Sequence, residues 1–91
     1  MNDVRKRILT RAIQYYGQGN QWAKAIEELS ELIRALARSD DHENIAEEMA
    51  DVRIMLDQLE IMYGNHALVR KYELEKLQRL DGRVHASDTV D

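Results

Sequence analysis

The strongest constraint on this chain is a helical apolar stripe that carries an acid inside it. Over residues 43–63, Ile45, Met49, Val52, Leu56, Leu59 and Tyr63 recur at three- and four-residue steps, the period of one face of an α-helix. Glu48 falls within that stripe, roughly 40–60° from its centre at about 100° per residue, and Asp51 lies at its edge. A charge facing a core is costly unless it is protonated, paired or bound to a metal. Met55 and Met62 widen the same flank, whereas Ile54 and Ile61 point roughly the other way. A helix apolar on two faces is buried on two sides. In a chain of only 91 residues, the second side most simply meets another subunit.

The rest of the chain is helical in the same manner. It has no proline to break a helix interior, and Val, Ile and Thr form no alternating runs, so no strand is expected. A first helix is expected over 3–16, with Asp3 as its N-cap, Val4, Ile8, Ala12 and Tyr15 on one stripe, and Leu9, Ile13 and Tyr16 on the next. Gly17, Gln18, Gly19 and Asn20 turn the chain. A second helix over 21–38, capped by Asn20, faces the core with Trp22, Ile26, Leu29, Ile33 and Leu36, with Ala25 and Leu32 at the edge of that stripe. Asp40 and Glu43 form a capping box for the third helix, over 43–63. Gly64 ends that helix and Asn65 caps a fourth over 66–84, which packs through Leu74, Leu77, Leu80 and Val84. The expectation is one all-α domain over 1–84 with a frayed tail over 85–91.

Composition excludes several classes. The chain has no cysteine, which rules out disulfides and thiolate zinc sites. No apolar run approaches bilayer length, so a cytoplasmic protein without a membrane partner is expected. The net charge of −4 argues against nucleic acid as a partner. Arg5, Lys6, Arg7 and Arg11 on the first helix are either an anion patch or a solvated face.

The acids carry the chemistry. Glu28 with Glu31, and Glu48 with Asp51, are three residues apart and share a helix face; Glu27 and Glu47 point elsewhere. If the two helices pack antiparallel, four carboxylates converge. An all-oxygen donor set suits Mg²⁺ or Mn²⁺. A di-iron bundle needs Glu-x-x-His, and none of His42, His66 and His85 follows an acid by three residues. Tyr72, Lys76, Arg79 and Arg83 share a face of the fourth helix that could receive phosphate. Each group also has a plainer reading: solvated helix faces for the acids and the basic row, and a helix-start amide and a core indole for Gln21 and Trp22.

The pattern Glu27-Glu28-Leu29-Ser30-Glu31, sixteen intervening residues, then Glu48-Met49-Ala50-Asp51 resembles the signature of the MazG-like all-α nucleoside triphosphate pyrophosphatases. Residues 21–26 before it, residues 46–52 within it and residues 75–80 after it look like the short stand-alone members, and the resemblance covers roughly residues 18–84. It implies a four-helix bundle completed by dimerisation, as a homodimer or dimer of dimers. It also implies Mg²⁺-dependent hydrolysis of a nucleoside or deoxynucleoside triphosphate to monophosphate and pyrophosphate, as nucleotide-pool housekeeping. Glu28, Glu31, Glu48 and Asp51 would hold the metal, for which Mn²⁺ could substitute. Water would attack the α-phosphorus with Glu31 as candidate base and Glu28 beside it. Lys76 and Arg79 would bind the phosphates, and Gln21 and Trp22 the base. The alternative is a non-enzymatic helical dimerisation or regulatory module; a nucleic-acid binder using the first helix ranks below both.

Overall fold

Most of the helix ends coincide with a local chemical feature. The computed structural model describes residues 1–88 as four helices: α1 (Asp3–Tyr16), α2 (Gln18–Ala37), α3 (His42–Tyr63) and α4 (His66–Asp88). No strand occurs among the described residues. Asn2, one residue before the expected cap, accepts a hydrogen bond from the Arg5 amide at 2.8 Å, and Asp3 supplies a negative charge in the first turn. The expected four-residue turn shrinks to Gly17, whose φ of +91° is open to glycine and strained for other residues. Asn20 therefore lies inside α2, where its Nδ2 donates to the Tyr16 carbonyl at 2.7 Å. α2 ends with Ser39 left-handed at φ 54°. The Ser39 and Asp40 amides return to the Leu36 and Ala35 carbonyls, a closing pattern that satisfies two otherwise orphaned acceptors.

At α3 the cap is Asp41, which accepts from the Asn44 amide at 2.8 Å. Asp40 instead accepts from Arg38 and the Asn44 side chain. Gly64 ends α3 in the left-handed region, as expected. The Asn65 side-chain oxygen is buried without a hydrogen-bond partner, so it does not cap α4. That helix runs past the expected end at Val84 to Asp88; residues 89–91 of the expected tail lie outside the described residues.

Packing is concentrated on one seam, between α2 and α3, with α1 laid across both. The core consists of Leu9 and Ile13 from α1, Ala25 and Ala35 from α2, and Val52 and Met55 from α3. This corrects the expected inner face of α2. Trp22, Ile26, Leu29, Ile33 and Leu36 are exposed, and the side of α2 turned inward carries Gln21, Ala25, Glu28, Leu32 and Ala35, buried or half-buried. Alanines let two backbones approach closely, whereas the larger side chains would hold them apart. α3 buries Val52, Met55 and Gln58, and leaves Met49, Leu56 and Tyr63 of its expected stripe exposed.

The backbone of α4 approaches α3 and neither of the other helices. Leu74, Leu77, Leu80 and Val84, expected to pack, are all exposed. The radius of gyration is 16.6 Å, against about 12 Å for a compact domain of this length. Among the described residues, no helix is long and apolar enough to cross a membrane.

Candidate metal centre

The register of the seam places the acids. Near the start of α2, Gln21 Nε2 donates to Gln58 Oε1, near the end of α3, at 2.9 Å in a buried contact. The two helices therefore run antiparallel. Glu28 lies seven residues after Gln21, and Asp51 seven residues before Gln58, two helical turns in each case. The amide pair thus sets Glu28 opposite Asp51, and Glu48 joins them from the preceding turn of α3.

Glu28, Glu48 and Asp51 each offer a carboxylate oxygen, and the three oxygens lie within 4.8 Å of one another. Glu28 and Glu48 are half-buried and Asp51 is exposed. One oxygen of Glu48 is buried and has no hydrogen-bond partner. Burial pushes the Glu48 carboxyl above the ordinary carboxylate range, and the negative charges of Glu31, Asp51, Glu28 and Glu47 push it further. Loss of water and crowding by like charge both disfavour ionisation. A divalent cation relieves both, and an all-oxygen donor set fits Mg²⁺ or Mn²⁺.

The other expected site residues are distributed unevenly. Glu31 stands outside the tight group, and its Oε1 accepts from Arg34 at 2.6 Å. It is nevertheless near enough for its charge to act on Glu48. Gln21 and Trp22 do not share a face. Gln21 is buried in the seam, while Trp22 is exposed and lines a shallow cavity of about 240 Å³ with Gln18, Gly19, Met62 and Tyr63. Lys76 and Arg79 are exposed on α4, whose backbone does not approach α2, the helix carrying Glu28. Of the basic residues on α1, Arg5 is committed to an ion pair with Asp57 at 2.6 Å, which ties α1 to α3.

Lys24 is a neighbour of the cluster that the acidic motif did not reveal. Its Nζ lies 3.1 Å from Glu28 Oε1 and 3.8 Å from Glu27 Oε2. The hydrogen bond from Lys24 to Glu28, followed by the charge of Glu27, raises the lysine above its ordinary value. The signal was present in the spacing: Lys24 precedes Glu28 by four residues, one helical turn. Comparison with known proteins adds no assignment, since no family model, curated protein or solved structure matches the chain.

Proposed function

We propose that this protein is a Mg²⁺-dependent nucleoside triphosphate pyrophosphatase of the MazG-like kind. It would hydrolyse a nucleoside or deoxynucleoside triphosphate to the monophosphate and pyrophosphate in the cytoplasm. The observation that carries the reading is the meeting of Glu28, Glu48 and Asp51 across the α2–α3 seam, with a buried Glu48 oxygen left unpartnered. Such a group suits a hard cation that also binds phosphate oxygens, and when bound that cation neutralises charge on the phosphates. Glu28, Glu48 and Asp51 would hold it. Glu31, set just outside the group, is the candidate base for the water that opens the bond between the α- and β-phosphates. Lys76 and Arg79 are the candidate phosphate contacts.

A second copy completes the bundle in this reading. Support comes from the exposed stripes on α2 and α4, which include Ile33 at 66% and Leu77 at 56% exposure. Apolar rows of this extent on a small chain mark an association surface. The same exposure favours the alternative, a helical dimerisation module without turnover.

The two readings part on one assay. A panel of canonical and modified triphosphates is incubated with Mg²⁺, and pyrophosphate and monophosphate are measured. A hydrolase releases both in equal amounts. Glu48→Gln and Asp51→Asn lower the rate by about 100-fold or more, because even outer-shell partners of a metal cost 10–100-fold when removed. Helicity by circular dichroism stays unchanged. Full turnover in both variants would remove the site assignment, and no turnover of any triphosphate by the wild type would leave the module.

A further inference from the structure

We propose that the outer face of α1 docks an acidic amphipathic helix of another protein, whose apolar side chains enter the groove between α1 and α3 while its acids meet Arg7 and Arg11. This surface shares no residue with the carboxylate cluster, so the proposal stands or falls apart from the metal-dependent reading.

α1 is apolar on two sides. Leu9 and Ile13 are buried against the other helices. Val4, Ile8 and Tyr15 fall within about 40° of one another, roughly 140° from that buried line at about 100° per residue. All three are exposed, Ile8 at 59% and Tyr15 at 82%. On one side the row descends into a groove of about 450 Å³, lined by Asn2, Val4, Arg5, Ile8 and Leu9 and closed by Ile54 of α3. On the other side stand Arg7 and Arg11, one helical turn apart and exposed. Among the described residues neither makes an ion pair, whereas Arg5 spends its charge on Asp57. Their placement gains nothing from the helix dipole, since the last turn of α1, where a base is stabilised, holds none.

The charge pattern selects the occupant. Within α1, Arg5, Lys6, Arg7 and Arg11 stand against the single acid Asp3, while the whole chain has 13 bases against 17 acids. The rest of the molecule is therefore the acidic part. A bilayer or a nucleic-acid strand spreads negative charge widely and sets it against that acidic remainder as well. A helix about 10–12 Å across covers α1 alone, and charges more than about 8 Å away are screened at physiological salt. A purely apolar partner leaves Arg7 and Arg11 unanswered. An acidic flank answers them and rejects wrong partners, and an apolar groove takes the i, i+4 anchors of a helix.

The test uses the intact chain and a synthetic amphipathic helix about four turns long, made with either Glu or Lys beside its leucine row. Calorimetry measures binding, and amide shifts of the isotope-labelled chain locate it. The Glu form binds, shifts the amides of α1, and weakens severalfold from low to high salt. The Lys form binds about tenfold weaker or worse. The double variant Arg7→Glu, Arg11→Glu weakens the Glu form by about tenfold or more, and Ile8→Ser by about tenfold. All three side chains are exposed, so the helicity of the variants matches wild type. No binding of the Glu form, equal binding of the two forms, or shifts that avoid α1 overturns the proposal. Tighter binding, dependent on Arg7 and Arg11, to vesicles of phosphatidylserine and phosphatidylcholine or to oligothymidylate also overturns it, and makes the partner a membrane or a nucleic acid.

Discussion

The α2–α3 seam and α4 are equally helical, yet only the seam is closed. The seam joins small and polar side chains: Ala25 and Ala35 buried, Gln21 bonded to Gln58, and Glu28 facing Glu48 and Asp51. α4 carries large apolar residues at helical spacing and buries none of them. Greasiness alone therefore does not decide what a small helical chain buries within itself. Close approach of two backbones favours alanines and paired amides, and it leaves the larger side chains on the outside. If that contrast is correct, mutations on the two surfaces fail in different ways.

Overpacking the seam has the largest expected effect on stability. Ala35→Leu inserts three carbons where the side chain is 1% exposed, at a cost of about 1–3 kcal/mol. Its urea midpoint falls at every protein concentration. Leu77→Ser on α4 and Ile33→Ser on the outer stripe of α2 act through assembly instead. The wild-type midpoint rises with protein concentration if a second copy covers these residues, because binding to the folded form adds stability by mass action. The two serine variants flatten that rise and sediment as monomers. A wild-type midpoint independent of concentration would break the comparison, and α4 would then need another partner.

The amide pair sharpens the contrast from inside the seam. Gln21→Leu leaves the Gln58 side chain buried without its partner, which costs about 1–3 kcal/mol. Gln21→Leu with Gln58→Leu removes both polar groups and returns close to wild-type stability by the same rule. A double variant as unstable as the sum of the singles would show that the two amides are not coupled, and the contrast would lose its polar half.

Periodicity alone made much of the seam legible. Four helices and their order were readable from stripes, breaks and glycines, and Glu48 stood out because an acid interrupted an apolar run. The face of α2 that turns inward was not readable. Trp22, Ile26, Leu29, Ile33 and Leu36 outscore Gln21, Ala25 and Ala35 on any count of apolar residues, yet the smaller set packs. Caps moved by one residue, from Asp3 to Asn2 and from Asp40 to Asp41, since neighbouring side chains of the same chemistry compete for the cap position. The Gln21–Gln58 bond joins residues 37 apart, beyond the reach of local pattern. Glu31 had the spacing of a ligand; it lies outside the tight group, with its Oε1 paired to Arg34.

The smallest expected effect tests the seam through pH. The folded carboxyl of Glu48 lies above its ordinary value of 4.5, raised first by burial and then by the charges of Glu31, Asp51, Glu28 and Glu47. A carboxyl raised in the fold binds its proton more tightly there than in the unfolded chain. Its contribution to stability is complete below about pH 4.5 and is lost as pH climbs through the raised value. Gln at this position is neutral at every pH and misses that loss. In metal-free buffer the melting temperature of Glu48→Gln should match wild type near pH 4 and exceed it at pH 7. Mg²⁺ at pH 7 should close or invert the gap, because the wild-type carboxylate gains a partner that the amide lacks. A gap that stays the same from pH 4 to 7 would place Glu48 in open solvent, and the seam would then differ from α4 in packing alone.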